Sequence, residues 1–289
     1  MVTDAPALHF ADTDPADTRP CVAVTAERRA DELTTLLERR GARVWQVPAL
    51  HILPLADDAD LRARTAALVA DPPDLVVVST GVGFRGWLDA ARGWGTDDEF
   101  LAALARTRIV TRGPKATGAV RGAGLREEWS PASESSEGVL EGLEGSGLAS
   151  SGLVGLRIAV QVHGSMTRWE PTLDLPAALA ERGADVTPIQ VYRWVPPADQ
   201  GPMRALVRAI VDRQVSAVTF TSAPAPASLL QTAQDAGLLD AMLDALRTDV
   251  VAACVGPVTA GPLTHLDIPT VQPERARLSA LAKVALPRS

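Results

Sequence analysis

Short β-branched runs alternate with amphipathic stretches along the whole chain, and two of the junctions are near copies. LVVVSTGVGFRGWL, Leu75 to Leu88, and VTFTSAPAPASLL, Val218 to Leu230, each run an apolar strand into adjacent hydroxyl residues and then into a helical pattern. Strands that alternate with helices predict parallel sheets covered on both faces. Strands are expected at about Cys21–Thr25, Leu75–Ser79, Arg108–Thr111, Arg157–Val162, Ala217–Thr221 and Val250–Val255. A helical pattern follows each; RADELTTLLERRG closes on Gly41, a good helix stop.

The copying extends further. DLVVVSTGVGFRGWLDAA resembles SAVTFTSAPAPASLLQTA, and RIVTRGPKATGAVRGAGL resembles VAACVGPVTAGPLTHLDI. The openings CVAVTAERRADELTTLLERRGARV and RIAVQVHG…LPAALAERGADV also match. Two segments break the alternation: VWQVPALHILPL, Val44 to Leu55, and VTPIQVYRWVPP, Val186 to Pro197. Both are extended and punctuated by proline, which disfavours helix and central strand alike. They read as matched crossover strands. The expected fold is α/β: two parallel-sheet, flavodoxin-like domains joined by a two-stranded crossover linker, the first domain discontinuous. The expected boundaries are a tail at 1–19, domain 1 at 20–47 and 197–289, linker strands at 48–56 and 187–196, and domain 2 at 57–186. EGLEGSGLASSGLVG, Glu141 to Gly155, reads as a Gly/Ser-rich loop in domain 2.

Composition narrows the function. The 289 residues are 46% hydrophobic, enough for a sizeable core. The net charge is −7 and basic residues are scattered among acids, which argues against a nucleic-acid partner. No apolar run is long enough to span a bilayer, and the acidic start does not read as a signal peptide. Cys21 and Cys254 sit in apolar runs as core residues. A cytoplasmic location is expected. His9, His51, His163 and His265 lie far apart, so no metal site is expected.

In an open parallel sheet, ligands bind beyond the carboxyl ends of the strands, where helix N-termini offer unpaired N–H groups to anions. Those ends are Ser79-Thr80, Gly113-Pro114, Gly164-Ser165, Thr221-Ser222 and Gly256-Pro257. Any one hydroxyl is explained as well by helix capping; as a set they suggest an anion-binding rim. No Ser/His/Asp arrangement, GxSxG or P-loop is present. A GxGxxG occurs at Gly81, Gly83 and Gly86, but the next strand ends Thr111-Arg112, not in a ribose-binding acid. It reads as a tight turn with close helix packing.

Taken in order, these motifs resemble the uroporphyrinogen-III synthase family over roughly Val22 to Leu286. FTS at Phe220–Ser222, VGPVTA at Val255–Ala260 and GADVTPIQVYR ending in Tyr192 carry the likeness most strongly. VPALHILPL, GPKATGA and SPASESSEGVLEGL support it. The resemblance implies cyclisation of hydroxymethylbilane to uroporphyrinogen III with inversion of one pyrrole ring. It implies no cofactor, a small-molecule tetrapyrrole substrate, and the upstream hydroxymethylbilane synthase as a partner. Carried over by position, Tyr192 is the candidate catalytic residue, assisting loss of the hydroxyl. Thr80, Gly81, Lys115, Thr117, Gly164, Ser165, Thr221, Ser222, Gly256 and Thr259 are candidate substrate contacts. The chain departs from the family at three places. Thr25 is followed by Ala26 and Glu27, with Arg28 and Arg29 displaced. Ala116 stands where threonine is expected, with Thr117 one later, and Thr80-Gly81 lacks the usual proline or asparagine. GPKATGA and EEWSPASESSEG look like the synthase-like halves of actinobacterial winged-helix regulators. The alternative reading is therefore a non-catalytic tetrapyrrole- or anion-sensing domain of a transcriptional regulator.

Overall fold

A computed structural model of the chain describes residues 17–145, 152–162, 169 and 173–286. Among them the strands are β1 (Cys21–Val24), β2 (Arg43–Gln46), β3 (His51–Pro54), β4 (Leu75–Val78), β5 (Arg108–Thr111), β6 (Arg157–Val162), β7 (Asp185–Gln190), β8 (Tyr192–Val195), β9 (Ala217–Phe220), β10 (Val251–Cys254) and β11 (Thr270–Val271). The helices are α1 (Ala30–Glu38), α2 (Ala59–Ala70), α3 (Gly81–Trp94), α4 (Asp97–Ala105), α5 (Pro114–Gly122), α6 (Ser136–Gly145), α7 (Leu175–Glu181), α8 (Gly201–Val211), α9 (Pro224–Asp235), α10 (Leu239–Thr248), α11 (Pro257–Thr264) and α12 (Leu278–Ala285). The described residues of Met1–His51 and Trp194–Ser289, with Trp169, form one compact unit, unit 1; those of Ile52–Gly164 and Thr172–Arg193 form unit 2.

Unit 1 holds a five-stranded parallel sheet in the order β11-β10-β9-β1-β2. Every β9 residue is buried, as a strand covered on both faces requires. Val218 and Phe220 pack with Ala23, Ala252 and Cys254 against residues of α8, α9 and α10. Ala217, one step out of phase, joins Val22, Val24 and Ala253 against Leu33 and Leu37 of α1 and Leu281 of α12. Gly41, at φ 86°, ends the turn after α1, where its N–H reaches the Glu38 carbonyl at 2.8 Å.

Unit 2 holds a four-stranded parallel sheet, β5-β4-β6-β7. Leu75, Val77, Val110, Ile158 and Val160 pack against Val139, Leu140 and Leu143 of α6 and Leu179 of α7. Trp87 of α3 lies against Phe100 of α4, ring centroids 4.7 Å apart, and donates to the Thr65 hydroxyl of α2 at 2.8 Å. Counted in chain order, both sheets run 2-1-3-4, with a fifth strand in unit 1. That is the flavodoxin-like order.

The spatial rows β10-β9-β1-β2 and β5-β4-β6-β7 match strand for strand the sequence repeats. β1 and β2 correspond to β6 and β7, and β4 and β5 to β9 and β10. Each repeat therefore begins in one unit and ends in the other.

Two expectations need correction. The expected linker strand at 187–196 begins too early, because 187–190 belong to β7; each proline-punctuated segment holds two strands. Its front half is a sheet edge, β2 on β1 and β7 on β6, and only its back half, β3 or β8, enters the separate two-stranded sheet where the chain passes between units. Pro188 is tolerated in β7 because an edge strand can spare a donor. The Gly/Ser-rich loop also starts later than Glu141. Helix α6 continues to Gly145 because Leu140 and Leu143 bury on its inner face. The 146–151 portion of that loop and most of the 1–19 tail lie outside the described residues.

Candidate functional site

The doubly wound order puts a switch point between β4 and β6 in unit 2, where ligands enter such folds. Thr80 follows β4 there. Extended at φ −141° and ψ 140°, it caps α3, its hydroxyl accepting from the Gly83 N–H at 3.1 Å. Its own N–H donates to Gln161 Oε1 at 3.0 Å, and Gln161 Nε2 reaches the Val162 carbonyl at 3.3 Å. Gln161 is fully buried in β6, so it ties the end of one central strand to the helix that follows the other. Thr80 Oγ1 stands 3.4 Å from both Gln161 Oε1 and the Tyr192 hydroxyl. These contacts are long for O–H···O bonds. Tyr192 opens β8 and is 4% exposed.

The glycines of GxGxxG serve packing. Gly81 is buried, and a Cβ there would overlap the Lys115 carbonyl oxygen and lie 2.8 Å from its carbon. A Cβ on Gly83 would overlap the Gln161 amide and lie 2.8 Å from Thr80 Oγ1. Their bareness lets α3 close on α5 and on Gln161.

At the end of β5, Gly113 leads into α5 with no side-chain cap, and Pro114 takes the first turn. Lys115 is exposed there, its ammonium without a partner among the described residues. Ala116 is buried, and the Thr117 hydroxyl is engaged by Thr111 Oγ1 at 2.7 Å. Arg112, half-buried, precedes this turn. Burial pushes its guanidinium below the ordinary value, opposed by the charges of Tyr192 and Glu137. Burial likewise pushes Glu137 up, but its own N–H, Ser135, the Leu173 N–H and Arg112 together hold its carboxyl lower.

In unit 1 the switch point lies between β1 and β9. The Thr25 hydroxyl donates to the Thr219 carbonyl at 2.7 Å, closing the strand pair. Thr221 and Ser222 follow β9, half-buried, but the α9 cap position is Ala223, which provides no side-chain cap. Their hydroxyls have no partner among the described residues, so capping does not account for them. Gly256 leads into α11, again without a side-chain cap; Thr259 in its first turn is 6% exposed and its hydroxyl is likewise unpartnered among the described residues. Beside β1, Glu27 Oε1 accepts from His51 Nδ1 at 2.7 Å. Arg29 sits at φ 58° before α1 and pairs with Glu32 at 2.7 Å, so this displaced arginine is engaged by its own helix. Gly164 and Ser165 lie outside the described residues.

Two rims thus combine uncapped helix N-termini with hydroxyls, and one adds cations. Such groups bind anions and orient them; the single acidic O–H among them is that of Tyr192. Among the described residues no three His, Cys, Asp or Glu gather as a metal would need. None of the helices described is long and apolar enough to cross a membrane. Sequence reading missed Gln161 and Arg112. The signal for both was a polar residue at the end of an apolar strand.

The doubly wound order is common to many proteins, so the comparison of whole chains decides the family. A family model described as "Uroporphyrinogen-III synthase HemD" matches residues 31–283. The chain belongs to the uroporphyrinogen-III synthase family. The crystal structure of a mutant uroporphyrinogen III synthase from Thermus thermophilus is 28% identical, with a TM-score of 0.74, covering 91% of this chain and 96% of that one. The wild-type Thermus synthase is 29% identical, with a TM-score of 0.61, covering 91% and 95%. A Bacillus subtilis (strain 168) protein named "Uncharacterized protein YjjA" is 30% identical over 270 residues, covering 91% of this chain and 94% of its own length. Family membership implies a small-molecule tetrapyrrole as the substrate class.

Proposed function

We propose that this uroporphyrinogen-III synthase family member converts hydroxymethylbilane to uroporphyrinogen III in the cytoplasm, as a lyase without a cofactor. The observation that carries the reading is the approach of the Tyr192 hydroxyl to Thr80 Oγ1, 3.4 Å, at the switch point of unit 2. In this mechanism the terminal hydroxyl departs as water, its second hydrogen supplied by Tyr192. The resulting azafulvenium cation is attacked by the substituted pyrrole carbon to give a spiro intermediate. The older bond from that carbon to its bridging methylene then breaks, and the methylene closes on the free α-carbon of the same ring. The proton lost from that carbon as the ring aromatises returns to the tyrosine oxygen. With substrate bound, the Tyr192 O–H turns to the leaving hydroxyl, and the Thr80 hydroxyl, otherwise directed at Gln161 Oε1, donates to the tyrosine oxygen. Lys115 and Thr117 in unit 2, with Thr221, Ser222, Gly256 and Thr259 in unit 1, hold substrate carboxylates. Gly164 and Ser165 are proposed contacts on the same grounds. Gly81 acts by letting α3 and α5 approach. Most of the acceleration comes from holding a folded chain against direct closure to the type I isomer.

The test is a coupled assay from porphobilinogen with hydroxymethylbilane synthase, resolving the type I and type III products. Type III in excess of type I supports the enzyme; type I alone, at the uncatalysed rate, discards it. A second reading, a tetrapyrrole-sensing domain without turnover, is favoured by one observation. Ala116 occupies the position that Thr259 holds in the other repeat, and Thr117 is already bonded to Thr111. Tight tetrapyrrole binding with no type III product would select it.

A further inference from the structure

The two repeats place different residues at one equivalent point. Val255 follows β10 and Arg112 follows β5, each just before a Gly-Pro turn into a helix. Their backbones are pinned alike: the Val255 N–H donates to the Phe220 carbonyl at 2.9 Å, and the Arg112 N–H to the Val78 carbonyl at 3.0 Å. Val255 is buried and apolar, an ordinary occupant of such a site. Arg112 is half-buried, yet its guanidinium makes no hydrogen bond or ion pair with any described residue. Other arginines of unit 2 do pair: Arg108 with Glu128 at 2.6 Å, Arg157 with Asp71 at 2.6 Å, and Arg121 with Glu127. The carboxylate nearest in influence, Glu137, is turned to the Leu173 N–H at 3.2 Å and closes no ion pair with Arg112.

We infer that Arg112 receives a carboxylate of the tetrapyrrole at the unit 2 rim, a positioning contact that the other repeat lacks; this rests on the tetrapyrrole reading above. Guanidinium donors form a planar fork that matches a carboxylate, and here no described residue engages them. A desolvated cation with no partner costs stability, and an incoming carboxylate offsets that cost. The lowered proton affinity that burial imposes on Arg112 is consistent with this. The exchange also balances the rim. Unit 2 has Ala116 where unit 1 has Thr259, and Thr117 is bonded to Thr111, so α5 gains a cation where it lacks a free hydroxyl.

The experiment titrates the full-length chain with uroporphyrin III, a stable octacarboxylate, and with coproporphyrin III, a tetracarboxylate, following porphyrin fluorescence. Arg112→Met is expected to weaken uroporphyrin binding about tenfold to a hundredfold, the usual effect of losing a charged hydrogen-bond pair. Coproporphyrin should lose less, and Arg112→Lys should recover part of the affinity. Arg213→Met, which breaks exposed pairs with Asp244 and Asp249, should leave binding unchanged. The urea midpoint of ligand-free Arg112→Met should equal or exceed that of the parent, because no partner is lost. Uroporphyrin affinity unchanged in Arg112→Met, or lost together with stability, overturns the inference and leaves the tetrapyrrole reading standing. A parent chain that neither binds uroporphyrin nor forms type III product overturns both.

Discussion

Replacing Gly81 by alanine should destabilise unit 2, although alanine is the better helix former. The substitution gains up to about 1 kcal/mol of helix propensity. Against it, the new Cβ would stand 2.8 Å from the Lys115 carbonyl carbon and overlap its oxygen. Carbon atoms pack comfortably at about 3.5–4.0 Å, so α3 and α5 must separate by roughly 0.7 Å or more. The obstacle is backbone and cannot rotate away. Overpacking of this kind costs about 1–3 kcal/mol, and the rigid partner puts it at the upper end, leaving a net loss of about 2 kcal/mol. Gly86, in the same motif, is the control: its Cβ would meet Val191 Cγ1 at 3.8 Å, an ordinary contact. Gly86→Ala should stabilise by about 0.5–1 kcal/mol. Urea unfolding followed by circular dichroism reads both, with a midpoint fall of about 1 M expected for Gly81→Ala. A Gly81→Ala midpoint at or above the parent's would refute the close approach of α3 and α5 as the reason for that glycine.

Tyr192→Phe should lower type III turnover by roughly 10²-fold, the low end for general acid catalysis, with KM changed little; an unchanged kcat in the coupled assay removes Tyr192 from the chemistry. The double variant Thr80→Ala with Thr259→Ala should raise the type I fraction, each lost neutral hydrogen bond costing about 1 kcal/mol; an isomer ratio equal to the parent's would show that these hydroxyls do not hold the substrate. Burial pushes the Cys254 thiol from 9.0 up to about 12. Above pH 9 the unfolded chain gives up this proton while the folded chain keeps it, so stability should fall between pH 9 and 12, by on the order of 4 kcal/mol over the whole interval. Comparing urea midpoints of the parent and Cys254→Ala at pH 8 and pH 10.5 isolates that contribution, and equal pH slopes for the two would contradict it.

The six expected strands were legible because each carries a run of apolar residues; five of them lie between two others and β5 is a sheet edge. Arg108–Thr111 and Arg157–Val162 appear as read; three of the other four expected strands end one residue earlier, and Val250–Val255 is one residue shorter at each end. The edge strands β2 and β7 were not separable from the residues after them. An edge tolerates proline and polar side chains, so VTPIQVYRWV shows no break at Val191, where the chain leaves one sheet for another. The hydroxyl rim was legible as a pattern, but the role of each member was not. Thr80 caps α3 and Thr117 bonds Thr111, whereas Thr221 and Ser222 do neither, and nothing local in the sequence distinguishes them. Gln161 and Arg112 escaped notice because their meaning depends on a neighbour at a distance: Thr80 across the β4–β6 pair, and Val255 in the other repeat.

The division of each repeat between the two units has a consequence for the ribosome. Everything in unit 2 has been synthesised once Arg193 is made. Unit 1 starts with β1, α1 and β2, but the strand that pairs with the other side of β1 is β9, where Val22 meets Ala217. Roughly 170 residues separate Gln46 from Ala217, on the order of 10–30 s of synthesis. For that interval one side of β1 carries unpaired N–H and C=O groups, and Val22 and Val24 have neither sheet nor α12 to cover them. Unit 2 can fold in the meantime, tethering the unfinished strand through β3. The strand that ends the wait is the central one of unit 1, so translation reaches the middle of this sheet only after the β9-facing side of β1 has long been exposed.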